Sequence, residues 1–257
     1  MLFEVREYLS FLSKSTNQHG VHSPFVFDLV TKCFYDKSNY ADYELIKEYK
    51  SKLLANKATI TISDFGAGSR VFKSNERQIS QIAKTAGISF NRAKLLYRLI
   101  KYFEPKNILE IGTSLGIATS AMAFANKTSA ITTVEGCSET LSVAEKKFQE
   151  FGLKNVNAVC SQFENYFQQL DGSKYDFIYF DGNHTKEATL SYFNALLKTT
   201  NNETCWIFDD IHWSSEMSEA WEEIKKHPLV TVTIDTFQWG FVFFRQEQQK
   251  EDFVIRY

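Results

Sequence analysis

From residue 108 onward, short β-branched or apolar runs alternate with stretches of helical period. ILEI (108–111) follows Pro105, which stops a preceding helix, and reads as a strand. A glycine-bearing turn and the helix-like GIATSAMAFA come next, then a second strand, AITTVE (130–135). Over 138–151, Leu141, Ala144, Phe148 and Phe151 recur at helical spacing on one face, with Gly152 where a C-terminal cap belongs. NVNAVC, YDFIYFD and TCWIFDD predict three further strands, separated by helical segments near 163–170 and 185–198. The last two are nearly continuous apolar runs, as strands buried on both faces should be. After the helix SSEMSEAWEEIKK, LVTVTID and GFVFFR stand close enough to form an antiparallel pair at the sheet edge. This alternation predicts an α/β fold: a doubly wound sheet of five parallel strands ending in an antiparallel hairpin.

The first 90 residues follow another pattern. Helical stretches over 2–14, 24–35 and 41–55 are joined by the loop NQHGVHSPF and followed by TISDFGAGSR. Residues 1–90 are thus read as a helical extension, a lid or a dimer surface, and residues 91–257 as the core domain.

With 257 residues, 44% of them apolar, the chain can bury a sizeable core without disulfides or a structural metal. Its 29 basic and 31 acidic residues are interspersed, giving a net charge of −2, and leave no basic footprint for nucleic acid. The four cysteines, Cys33, Cys137, Cys160 and Cys205, form no CxxC pair, so reduced thiols are expected. The opening MLFEVREYLSFLSK does not read as a signal peptide, and no apolar run is long enough to span a membrane. A cytoplasmic protein is the expectation.

Open α/β sheets bind ligands at the carboxyl ends of their strands. Two glycine turns compete for that role: Asp64-Phe-Gly66-Ala-Gly68, and Glu110-Ile-Gly112-Thr-Ser-Leu-Gly116. Only the second is followed by a helix and a strand that ends in an acid, Glu135. Glycines at 112 and 116 allow close approach of backbone to ligand and tight helix packing, and a carboxylate at the next strand tip can bind both hydroxyls of a ribose. The spacing is GxxxG, not GxGxxG, which disfavours a dinucleotide and suits a nucleoside without phosphates.

ILEIGTSLGIAT followed by TVEG resembles the cofactor signature of class I S-adenosylmethionine-dependent methyltransferases, nearest the catechol and caffeoyl-coenzyme A O-methyltransferase group. The resemblance spans roughly residues 90–245. It implies a Rossmann-like core in which Glu110, Gly112, Thr113, Ser114 and Gly116 line the methionine part of the cofactor. It further implies that Glu135 takes the ribose, that Ser161 or Gln162 flanks the adenine, and that Asp181 borders the site.

Two strands end in acids, YDFIYFDGNH and CWIFDDIHW, so Asp181, Asp209 and Asp210 are expected on one rim. Such oxygen donors suit Mg²⁺ or another hard divalent ion, and the resembling family holds a metal at the matching positions. Here Asp210 replaces the family's usual Asn. The competing reading is that Asp209 or Asp210 caps the helix beginning near Ser214. His184 stands where the family carries a lysine base, and an ordinary imidazole can accept a proton near neutrality; His212 competes for that role. The loop with His19, His22, Pro24, Phe25 and Phe27 closes over a cofactor or anchors the extension. Arg70 is available to an anionic substrate, and Asp235 and Trp239 are expected to face the site. Trp206, Trp213 and Trp221 are expected to be core or helix-packing residues, not a substrate cage.

The expected function is S-adenosylmethionine-dependent methylation of a small-molecule hydroxyl with help from a divalent cation, the protein forming a homodimer. The alternatives are metal-free transfer to nitrogen or carbon, and a cofactor-binding scaffold without turnover.

Overall fold

The computed structural model describes residues 2–63, 74–170 and 172–257; the candidate turn at 64–70, with Gly66, Gly68 and Arg70, lies outside them. The chain forms two compact units, residues 36–168 and residues 1–35 together with 169–257. The segment grouped by sequence as one extension therefore contributes to both.

Helix α1 spans Leu2–Lys14. The loop after it holds one 3-10 turn, and α2 (Pro24–Leu29) starts with Pro24 at its first position and Ser23 accepting a hydrogen bond from the Val26 N–H. One helix was expected over 24–35. Instead Val30–Phe34 widens into a π turn in which the Tyr35 N–H reaches the Val30 carbonyl. Phe34 meets Phe241 at a tilt, 5.2 Å between ring centres, and Phe25 meets Phe243 edge-on at 4.9 Å, so this segment anchors within its own unit.

In the unit 36–168, α3 (Asp42–Ala55) buries Tyr43, Ile46, Tyr49 and Leu53 on one stripe. A small antiparallel ribbon follows, β1 (Thr59–Thr61) with β2 (Glu76–Gln78), and then α4 (Ile79–Thr85) and α5 (Phe90–Phe103). β2 has no strand signal in the sequence, since three residues are too few to show a strand's alternation. Next come β3 (Asn107–Ile111), α6 (Ile117–Ala125), β4 (Ala130–Glu135), α7 (Ser138–Glu150), β5 (Val156–Cys160) and α8 (Phe163–Gln168). β4 lies between β3 and β5, all parallel, and the register sets Glu135 opposite Cys160. Gly152, at φ 65°, closes α7 as the sequence predicts.

The remaining residues supply β6 (Phe177–Phe180), α9 (Lys186–Leu196), β7 (Cys205–Asp209), α10 (Ser215–Lys226), β8 (Val232–Asp235), β9 (Trp239–Phe243) and β10 (Glu251–Val254). In this unit the strands run β10-β8-β9-β7-β6. β6 and β7 are parallel and buried at every position, whereas β8 and β9 form the expected antiparallel pair. That pair does not sit at the edge. β10, unforeseen because half of it is charged, adds parallel to β8, and Thr16 bridges to Ile255 beyond it. The fold class is thus the expected one: mostly parallel strands flanked by helices, Rossmann-like, with an antiparallel pair near the C-terminus.

Trp206, Trp221 and Trp239 are fully buried; a side chain of this kind contributes roughly 1.5–3 kcal/mol or more by leaving water. Trp239 was expected to face the site, but it belongs to β9 and packs edge-on against Tyr179. Among the described residues, no helix is long and apolar enough to cross a membrane.

Candidate active site

The carboxyl ends of the strands carry an unusual backbone. Ser114 (φ 48°) follows β3, Asn183 (φ 48°) follows β6, Asp210 (φ 55°) follows β7 and Phe237 (φ 72°) follows β8. Left-handed residues other than glycine are uncommon, and such strain concentrates where loops must present specific groups.

The turn from Gly112 to Gly116 is built from three consecutive devices. Gly112 at φ 100° lets its own N–H and that of Thr113 bond to the Val134 carbonyl at 2.9 and 3.3 Å. Ser114 turns left-handed and donates its N–H to Glu135 Oε2 at 2.9 Å. Gly116 at φ 75° then opens α6. Glu135 also accepts from the Cys137 N–H at 3.0 Å, and the Ser161 N–H bonds to the Glu135 carbonyl at 3.0 Å. The loop, Glu135 and Ser161 are thus brought together. Ser161 is half-buried and Gln162 exposed beside it. A carboxylate offers up to about four acceptor positions, so one side chain can serve the loop and a ligand together.

Glu110 and Thr113, expected to touch the cofactor, instead hold the loop from within. Glu110 is fully buried, and its Oε2 accepts from Thr119 and Thr133 hydroxyls, each at 2.5 Å. With the Thr133 proton committed to Glu110, Thr113 donates to Thr133 Oγ1. β3, β4 and α6 are thereby tied by one buried carboxylate. Sequence reasoning also missed the wall behind Gly116. The Tyr49 hydroxyl donates to the Leu115 carbonyl at 3.0 Å, and a Cβ at 116 would stand 2.7 Å from that hydroxyl and 2.5 Å from Phe148. Gly116 is therefore required by packing. The only sequence signal for Tyr49 is its place on the apolar stripe of α3.

A second group forms at the ends of β6 and β7. The Tyr179 hydroxyl lies 3.1 Å from Asp209 Oδ2 and 3.5 Å from Asp181 Oδ2, and Asp209 Oδ1 accepts from the Asp210 N–H at 2.9 Å. His184 Nε2 stands 3.6 Å from Asp181 Oδ1, its ring 5.9 Å from Trp213. Neither Asp209 nor Asp210 caps α10; Ser214 does, accepting from the Met217 N–H.

This arrangement bears on two expectations. Among the described residues no group of three or more His, Cys, Asp and Glu side chains converges to hold a metal. The oxygens of Asp181 and Asp209 face a phenol hydroxyl, a backbone amide and an imidazole, protein donors that a divalent cation would have to displace. His184 is the cation of this rim. Burial opposes its charge, but adjacent Asp181 and the charges of Asp210 and Asp209 outweigh that and push its pKa up to about 9. That favours the imidazolium, a donor, over the expected base.

A folded-state pKa above the ordinary value means that His184 adds stability in full below about 6.5, lost as pH rises through about 9. An NMR titration should place its midpoint near 9 and show Asp181→Asn lowering it by about one unit or more. A wild-type midpoint near 6.5 would refute the pairing. His212, the rival base, is occupied by Asp235 Oδ2 at 2.7 Å on Nε2 and by Ser218 at 3.3 Å on Nδ1, with Phe237 stacked on its ring. Asp235 thus serves His212.

Residues 109–211 match the family model described as a methyltransferase domain. The match takes in less than half of the chain, and the fold is the Rossmann-like one of solved methyltransferases. Among similar solved structures is the Podospora anserina methyltransferase PaMTH1 bound to S-adenosylhomocysteine, at 14% identity, covering 88% of this chain and 97% of that one with a TM-score of 0.63. The O-methyltransferase from Bacillus cereus, also with S-adenosylhomocysteine, is 18% identical over 82% of this chain and 93% of that one, TM-score 0.55. The O-methyltransferase TomG from Streptomyces achromogenes, involved in tomaymycin synthesis and complexed with SAM, is 17% identical over 62% and 82%, TM-score 0.55. No curated protein matches the chain.

Proposed function

We propose that the protein transfers the methyl group of S-adenosylmethionine to a hydroxyl of a small molecule. The observation that carries the cofactor half is Glu135: its carboxylate is fixed by the Ser114 and Cys137 amides at the tip of β4, beside the left-handed Gly112–Gly116 turn. A carboxylate held in this way keeps acceptor positions for the hydroxyls of a ribose. Structures similar in fold were solved with SAM or S-adenosylhomocysteine.

The chemistry asks for no protein nucleophile. The S–CH₃ bond breaks as the O–CH₃ bond forms, the hydroxyl proton passes to water, and alignment supplies most of the rate. A phenol-like hydroxyl with pKa ~10 costs about 4 kcal/mol to ionise at pH 7. The surplus of Asp181, Asp209 and Asp210 over a single imidazolium favours, as a second reading, an amine as acceptor.

Calorimetric titration with S-adenosylmethionine, followed by transfer of a labelled methyl group to a panel of phenols, alcohols and amines, tests both halves. Binding with labelled ether as product is the expected result. Labelled amine would select the second reading, binding without turnover would leave a scaffold, and absence of binding would remove the proposal altogether.

A further inference from the structure

We infer that Tyr179 closes the carboxylate rim to divalent cations, its hydroxyl standing between Asp209 and Asp181, so that the acceptor is engaged without a metal. The last clause rests on the methyltransferase reading; the closure does not.

The placement follows from the strand. Residues two apart share a face, so Tyr179 in β6 and Asp181 just beyond its end point the same way. Parallel pairing of β6 with β7 brings Asp209 alongside. The hydroxyl reaches both acids at 3.1 and 3.5 Å, and its ring, fully buried, is braced edge-on by Trp239 at 5.7 Å. It cannot swing aside without opening the core. Asp209, only 3% exposed, commits its second oxygen to the Asp210 amide, which holds Asp210 at a left-handed φ of 55°. Asp181 meets the His184 ring with its second oxygen at 3.6 Å. A hard dication needs six or more oxygens at about 2.0–2.6 Å, several of them usually water. Here the space between the two carboxylates holds a phenol oxygen on a fixed ring, and both carboxylates are oriented towards protein donors.

The test is titration of the full-length protein, free and with S-adenosylhomocysteine, by Mn²⁺ followed by electron paramagnetic resonance. The expected result is a free-ion signal undiminished up to about 1 mM for wild type. Tyr179→Phe, which removes one oxygen and keeps the ring against Trp239, should bind Mn²⁺ at least about tenfold more tightly than wild type, and Asp209→Asn added to it should abolish that gain. A folded Tyr179→Phe with no gain would overturn the role of Tyr179. So would wild-type binding below about 0.1 mM that Asp209→Asn abolishes. Circular dichroism establishes folding; should the variant not fold, the wild-type titration decides alone. Because no turnover is measured, failure here leaves methyl transfer standing, and absence of methyl transfer leaves this result standing.

Discussion

Gly116→Ala should destabilise the protein by about 2–5 kcal/mol, combining the cost of a side chain at a left-handed position with overpacking. The backbone there has φ 75°, and the added Cβ would press on Phe148 at 2.5 Å and on the Tyr49 hydroxyl at 2.7 Å. Neither neighbour has room, since Tyr49 is fully buried and Phe148 is 5% exposed. Gly152→Ala supplies the control. Its φ is 65°, but nothing lies within 4 Å of the added carbon, so only the backbone cost of about 1 kcal/mol remains. Urea denaturation of both variants separates the two contributions. Equal midpoints for the two would mean that Phe148 and Tyr49 give way, and would dismiss the packed wall behind the loop.

The second large effect is on the cofactor. Glu135→Ala should weaken S-adenosylmethionine binding by tenfold or more, about 1.5–3 kcal/mol for a charged hydrogen-bond partner. The carboxylate acts twice: it fixes Ser114 at its left-handed conformation through a 2.9 Å bond, and it is the group proposed for the ribose. Glu135→Gln keeps an acceptor oxygen for one amide and loses the charge, so its affinity should fall between wild type and alanine. Calorimetry with S-adenosylmethionine and S-adenosylhomocysteine measures this, and affinity unchanged in Glu135→Ala would take the residue out of the site.

Much of the fold is legible along the chain because its strands are short, β-branched and bounded by turn residues. The run 130–135 becomes β4 residue for residue, and the helix predicted over 138–151 becomes α7 with Gly152 as its cap. β10 is not legible, since Glu251 and Asp252 break the apolar pattern and only Phe253 is buried within it. In the site, the pattern locates Gly112, Gly116 and Glu135, whose roles follow from backbone conformation and chain position. It does not reveal which way an acid points. Glu110 and Glu135 both stand near strand ends, yet Thr119 and Thr133 draw the first inside. Likewise Tyr179 reads as one more apolar residue of a buried strand, and only the pairing of β6 with β7 shows its hydroxyl beside two aspartates.

The bridge between Thr16 and Ile255 has a bearing on self-association. The Thr16 N–H donates to the Val254 carbonyl, and the Arg256 N–H to the Thr16 carbonyl, just where β10 ends. An outermost strand otherwise offers a row of bare amides on which another molecule can template itself. Here the far end of that row is occupied by residue 16, and the near end carries the exposed charges of Glu251 and Asp252. The chain thus guards its own border against strand-to-strand aggregation with a single threonine's backbone and two repelling carboxylates.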